Sequence, residues 1–233
     1  MDIHKNFLLI VISSWMLCGT LCAQSVSTEE FSGKMLIRPP TTGWLTNGGD
    51  LYNQRYSPLT QINRDNVDGL KPLWSINLDG SGVGPQYSAE AQPLVHEGVI
   101  FVITGANDVF AIDVETGEQF WKYEANLDRA IATICCGWVS RGVGLGEGKV
   151  FVGQLDGKLL ALDEKTGEIL WSIQAERWQE GFTITSAPLY YDGMVITGFA
   201  GAEYGVRGRV KAYDSDDGSL IWTFYTIPGP GEV

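Results

Sequence analysis

Short apolar runs separated by glycine-containing turns organise the chain, and they recur. Val109-Phe110-Ala111-Ile112-Asp113 leads through Thr116-Gly117 to Trp121, and Leu160-Ala161-Leu162-Asp163 leads through Thr166-Gly167 to Trp171. Lys211-Ala212-Tyr213-Asp214 leads through Asp217-Gly218 to Trp222. The common form is Ala-x-Asp, four residues to Gly and four more to Trp, returning after 50 and then 51 residues. Each unit opens with a turn ending in Gly98, Gly148 or Gly193, followed by a β-branched or aromatic run such as Val99–Val102. Alternation around Asp-x-x-Thr-Gly turns predicts antiparallel strands joined by tight turns.

About four short strands fit one such period, which is the size of a β-propeller blade. The predicted fold is therefore all-β, built from four-stranded blades. In it, each repeat tryptophan sits on an outer strand and packs between blades, against backbone laid bare by glycine. Trp74, in Pro72-Leu73-Trp74-Ser75-Ile76, looks like an outer strand with no repeat ahead of it, of the kind that completes a last blade. A closed propeller needs about four to eight blades. Three signatures and one orphan strand read as the first part of something longer.

The N-terminal part has a different texture. Lys5 precedes an apolar run from Phe7 to Leu17, and Ala23 closes a stretch of small and apolar residues. This reads as a secretory signal peptide over 1–23, since the apolar run is shorter than the ~20 residues of a membrane span. Residues 24–43 show little periodicity and are expected to form a mobile or loosely packed lead-in. Trp44 to Leu70 is polar and turn-rich and is expected to wrap the outside of the propeller, which occupies 44–233.

Composition narrows the chemistry. The chain has 233 residues, 44% hydrophobic, with 29 glycines and 8 tryptophans, which excludes a disordered protein. Its net charge of −12 argues against nucleic acid as a partner and suits cations or basic proteins. Cleavage after Ala23 removes two of the four cysteines and one of the two histidines. Cys135, Cys136 and His96 remain, which argues against a Ser-His-Asp or Cys-His hydrolase and against a multi-histidine zinc site. His96 lies in a His-Glu-Gly turn and reads as a solvated loop residue. A bond between adjacent cysteines would span Cα atoms about 3.8 Å apart, too short a loop to staple distant segments. It would serve as a rigid surface or as a redox element.

Function is sought where the repeats differ. Trp121 to Phe151 spans 30 residues against 25 for Trp171 to Ile196, and the longer interval holds Cys135, Cys136 and Arg141. Ile196 to Ala212 spans 16 residues, where the two earlier units need 10, and the excess falls in Phe199 to Gly208. There Glu203, in a glycine-rich loop, is a candidate ligand for a hard cation such as calcium. The alternative is an ion pair with Arg207 or Arg209. Glu90 lies three residues before Pro93 and Thr185 three before Pro188, which predicts equivalent blade positions near the axis. Gly142-x-Gly144-x-Gly146 precedes a hairpin and not a helix, so it is no dinucleotide fingerprint.

Asn53-Gln54-Arg55-Tyr56-Ser57-Pro58-Leu59, Cys135-Cys136 with Arg141 five beyond, and Gly201-Ala202-Glu203-x-Gly205-Val206-Arg207-Gly208 together resemble the pyrroloquinoline quinone (PQQ)-dependent alcohol dehydrogenases of the methanol and ethanol type. The resemblance covers Trp44 to the end. It implies an eight-bladed propeller, of which three to four blades stand here, holding PQQ at its axis. It further implies that Cys135 and Cys136 form a vicinal disulfide stacked on one face of the quinone, with Arg141 bonded to its reactive carbonyl oxygen. Glu90, Thr185 and the backbone of Ala200, Gly201 and Ala202 would contact its carboxylates and edges. Ala200 stands where many members have Ser, so no hydroxyl contact is expected there. Glu203 would bind calcium or a lanthanide, a Lewis acid on the quinone carbonyl that accepts hydride from a primary alcohol. Electrons would pass to a periplasmic cytochrome c. The family's aspartate base, its asparagine metal ligand and the tryptophan on the opposite quinone face lie beyond Val233, so the chain alone is expected to be inactive. The competing class is a non-catalytic PQQ-like propeller scaffold, which has the tryptophan repeat but lacks the cysteine pair and the Gly-Ala-Glu loop; a third is a binding module that keeps the quinone without turning over.

Overall fold

The computed structural model describes residues 31–79, 90–135 and 137–232. The expected signal peptide and Cys136 lie outside the described residues. Among the described residues, twelve strands form three four-stranded antiparallel sheets, each in simple meander order. The first holds β1 (Leu94–His96), β2 (Val99–Ile103), β3 (Val109–Asp113) and β4 (Gln119–Tyr123). The second holds β5 (Gly144–Gly146), β6 (Lys149–Gly153), β7 (Lys158–Asp163) and β8 (Ile169–Gln174). The third holds β9 (Leu189–Tyr191), β10 (Met194–Gly198), β11 (Arg209–Asp214) and β12 (Leu220–Tyr225). These are the three blades expected from the repeat.

Two of the three connections in each blade follow a common pattern. The first is a two-residue hairpin whose central pair both take positive φ: Glu97 and Gly98 at 46° and 80°, Glu147 and Gly148 at 52° and 71°, Asp192 and Gly193 at 47° and 76°. That backbone matches the twist of the flanking strands. The second turn is closed by the repeat aspartate. Asp113 Oδ1 accepts from the Glu115 and Thr116 amides and from Thr116 Oγ1, at 2.9, 2.7 and 2.9 Å. The Thr116 hydrogen bonds hold the Asp113 carboxyl below the usual carboxylate range.

The Ala and Trp of the repeat stand directly opposite one another. Ala111 pairs with Trp121, Ala161 with Trp171 and Ala212 with Trp222, each beside a register shift that bends the outer strand. The tryptophan then reaches the following blade. Trp74 donates to the Val114 carbonyl at 3.1 Å, Trp121 to Glu164 at 3.0 Å and Trp171 to Ser215 at 2.9 Å. Their rings cover Gly117, Gly167 and Gly218, where an added Cβ would come within 2.5 to 2.8 Å of indole carbons. The orphan Trp74 thus occupies the docking position expected of an outer strand.

The strands depart from simple alternation in one respect. Val109 to Ile112 and Leu159 to Leu162 are buried at every position, and the second sheet has a neighbouring blade on each of its faces. An every-other-residue pattern needs one wet face. The outer strands β4 and β8 keep exposed positions, with Phe120, Ile169 and Leu170 half exposed.

The described lead-in residues 31–43 are not loosely packed, and with 44–53 they form a strap along the blades, whereas 54–70 are almost wholly exposed. Leu36 is 2% exposed and joins the core cluster of the second and third blades. Trp44 and Val95 exchange backbone hydrogen bonds at 3.0 and 2.9 Å, and Trp44 Nε1–H donates to the Pro93 carbonyl at 2.8 Å. β1 is an edge strand with unpaired backbone groups, and this strap satisfies them. Strands β5 and β9 face each other, and an added Cβ on Gly146 would run into the Tyr190 ring, which places the first strands on the inner side of the fan. The strap therefore lines the inner edge.

His96 also differs from expectation. It ends β1, is largely buried, and places Nδ1 2.5 Å from Glu164 Oε1 of the second blade. Phe31 of the strap packs edge-on against its ring at 5.8 Å. The next blade interface carries a matching clasp, in which Ser215 Oγ donates to Glu147 and Lys149 pairs with Asp216.

Candidate functional site

Three of the candidate residues converge. Arg141 lies just before β5, Glu90 just before β1 and Thr185 just before β9, so each stands ahead of the inner strand of a different blade. The Arg141 guanidinium reaches Glu90 Oε2 through Nη2 at 3.0 Å and donates through Nη1 to Thr185 Oγ1 at 3.0 Å. Its backbone is fixed on both sides, the amide donating to the Thr185 carbonyl at 3.0 Å and the carbonyl accepting from the Gln92 amide at 3.3 Å. One arginine therefore ties three blades together. Its side chain remains 48% exposed and that of Glu90 45%, so both can still engage a ligand.

A cavity of about 280 Å3 adjoins this arginine. Strap residues Asn47, Asp50 and Asn53 share its wall with Arg141, Ser186 and Tyr190. None of these strap residues belongs to the repeat, so the repeat gave little sign of their part in it. The only hint was a polar, turn-rich run with isolated leucines, a pattern equally suited to an outer wrap.

Ala200 forms an antiparallel bridge with Thr183, two residues before Thr185, through hydrogen bonds of 2.9 and 3.2 Å. The loop carrying Ala200, Gly201 and Ala202 is thereby attached beside the third-blade member of the cluster. Gly201 has φ 135°, and an added Cβ would strike the Gly181 backbone. Ala202–Tyr204 form a single 3-10 turn that presents Glu203 to solvent. The ion pairs considered as an alternative for Glu203 do not form: Arg207 pairs with Glu232 and Arg209 with Glu176.

Cys135 is exposed at the end of the 131–135 segment, outside the sheets. Cys136 lies outside the described residues, and with it the pairing expected of the two. Tyr204, next to Glu203, donates through its hydroxyl to the Ala132 carbonyl at 3.5 Å, so the two unusual loops touch.

A flat group bearing carbonyl and carboxylate oxygens fits what is present. Arg141 offers such oxygens a fork of charged donors and Thr185 a hydroxyl that can also donate, Glu90 offers an acceptor to an N–H of the group, and open space adjoins them. A metal cage is less complete: among the described residues no three His, Cys, Asp or Glu side chains come together, so Glu203 brings one carboxylate.

The family model described as "PQQ: Glucose/ethanol/alcohol dehydrogenase, beta-propeller domain" matches residues 44–233. Quinohemoprotein alcohol dehydrogenase ADH IIB of Pseudomonas putida is 46% identical over 187 residues, 80% of this chain and 26% of that protein. Quinoprotein alcohol dehydrogenase PedH of Pseudomonas putida is 38% identical over 222 residues, 94% of this chain and 36% of that protein. Among solved structures, the quinohemoprotein alcohol dehydrogenase of Comamonas testosteroni superposes with a TM-score of 0.75 at 41% identity, covering 82% of this chain and 28% of that one. A europium-containing methanol dehydrogenase superposes with a TM-score of 0.77 at 35% identity, covering 85% and 34%. The chain thus spans about a quarter to a third of these proteins' length.

Proposed function

Because the chain belongs to the PQQ-dependent alcohol dehydrogenase family, we propose that it supplies three propeller blades and one side of the cofactor pocket of a quinoprotein that oxidises a primary alcohol to an aldehyde. The observation that carries this reading is the convergence of Arg141, Glu90 and Thr185 from three blades. When bound, PQQ supplies the hydride acceptor that no protein side chain provides.

Each residue has a defined task. Arg141 orients the quinone by donating to an oxygen on it, and its guanidinium, held by Glu90 and Thr185, needs little rearrangement to do so. Glu90 and Thr185 meet the polar edges of the ligand, and the Ala200–Ala202 backbone borders it without a hydroxyl at Ala200. Cys135 and Cys136, joined as a vicinal disulfide, form a surface against one face. Glu203 contributes a carboxylate to calcium or, by analogy with the europium-containing methanol dehydrogenase, to a lanthanide. The 1–23 segment directs export to the periplasm, 24–43 leads into the propeller, and a cytochrome c accepts the electrons there. The chain alone does not turn over alcohol, because the catalytic base is not among its residues.

The test is an absorbance titration of the purified chain with PQQ, followed by gel filtration. Retention of quinone by the parent chain and its loss in Arg141→Met supports the reading. Equal retention by both, or dye-linked alcohol oxidation by the isolated chain, overturns it.

A further inference from the structure

Two elements of the proposed pocket are held in different ways. Arg141 is locked by backbone hydrogen bonds to blades on either side, whereas the segment 131–135 that carries Cys135 has no strand partner. Trp138 stands between them. It takes no part in the repeat: its ring docks on no blade glycine, and the spacing that explains Trp121, Trp171 and Trp222 leaves it over.

Its surroundings give it another task. The side chain is 9% exposed and belongs to a cluster with Ala106, Leu127, Ile131 and Leu155, against which Ile134 also packs. Its Nε1–H donates to the Ile131 carbonyl at 3.1 Å, seven residues back, closing the loop on itself. Thr133 Oγ1 adds a bond to the Trp178 carbonyl at 3.1 Å. Cys135 is exposed between these two anchored ends.

We propose that Trp138 is a positioning residue, whose buried indole and Nε1–H hold the Ile131–Cys135 segment so that Cys135 is presented at a fixed separation from Arg141. This rests on the quinone reading above. A planar ligand lying against the loop then meets a surface already ordered, and the entropy of ordering that segment does not oppose binding. Replacing the indole by Leu removes the ring that fills the cluster and leaves the Ile131 carbonyl without its donor. Phe restores most of the ring but not the donor.

The experiment compares the parent chain with Trp138→Leu, Trp138→Phe and, as a control, Trp121→Phe, which loosens blade packing far from the loop. Hydrogen exchange over 131–137 is followed without quinone, and PQQ affinity is followed by absorbance. Trp138→Leu is expected to speed exchange there and to weaken PQQ binding, each about tenfold or more, with Trp138→Phe between it and the parent. Trp121→Phe is expected to leave both within twofold. Unchanged exchange and affinity in Trp138→Leu overturn the proposal, as does an equal effect from Trp121→Phe, which reduces it to general stability. A parent chain that takes up no PQQ overturns the quinone reading and the ligand half of the proposal. Exchange then still decides whether Trp138 orders the loop.

Discussion

Trp121 of the first blade lies flat on Gly167 of the second, so that a Cβ at 167 would sit 2.6 Å from Cε3 and 2.7 Å from Cδ2 of the indole. Gly167 also has φ 73°. Gly167→Ala therefore meets two penalties, a clash with a ring held by its bond to the Glu164 carbonyl and a left-handed backbone. Together they are expected to cost about 2 to 4 kcal/mol. Gly148 has nearly the same φ, 71°, with nothing near an added Cβ. Gly148→Ala should cost only the backbone share, about 1 kcal/mol. Urea denaturation of the two variants separates packing from conformation, and equal losses would show that the tryptophan platform contributes little.

The His96–Glu164 contact gives the same blade interface a pH dependence. The hydrogen bond to Glu164 raises the His96 pKa above its ordinary value, burial works against it, and the charges of Glu164 and Glu97 add to the rise. A histidine whose folded-state pKa is raised adds stability that is fully present below its unfolded value, near 6.5. That stability fades as pH rises through the folded value. The gap in urea midpoint between the parent and His96→Gln should be wider at pH 6 than at pH 9. A gap independent of pH would mean that His96 acts only through packing on Phe31.

The blades were legible because their residues repeat: Ala111, Gly117 and Trp121 recur at fixed spacing, and packing demands each of them wherever a blade docks. The strap was not. Leu36 and Trp44 are fixed by the edge of β1 and by Tyr190, partners far away in sequence, and nothing periodic announces such a contact. Arg141, Glu90 and Thr185 could be found from the prolines and the insertions around them, yet their direct bonding to one another could not. That depends on the leading ends of three inner strands meeting near one point. Trp138 stayed hidden for the opposite reason, since a tryptophan in a tryptophan-rich repeat protein is readily assigned to the repeat.

Thr185 contributes to the cluster through one side-chain atom. Its Oγ1 accepts from Arg141 Nη1 at 3.0 Å, while its carbonyl, which any residue would supply, holds the Arg141 backbone. Thr185→Val keeps shape and backbone but removes the acceptor, and Thr185→Ser keeps it. PQQ affinity should fall roughly three- to tenfold in the valine variant, the range of one hydrogen bond to a charged group with partial solvent compensation. The serine variant should stay close to the parent. If valine and serine behave alike, the hydroxyl does not orient the guanidinium.

The docking geometry also yields a contrast between two equivalent tryptophans. Trp74, Trp121, Trp171 and Trp222 hold equivalent positions, and among the described residues glycine platforms at 117, 167 and 218 stand opposite the first three. Trp171 is 9% exposed and bonded to Ser215, whereas Trp222 is 37% exposed on a strand that also bares Leu220, Ile221 and Phe224. An apolar edge of this kind favours self-association. Trp171→Ser should therefore destabilise the chain by about 3 to 5 kcal/mol, as loss of a buried aromatic does. Trp222→Ser should cost less than about 1 kcal/mol, since surface substitutions usually do, and should reduce association measured by light scattering. Denaturation and scattering on the same two samples decide the matter: a large stability loss at 222 would mean that its ring is already covered within this chain.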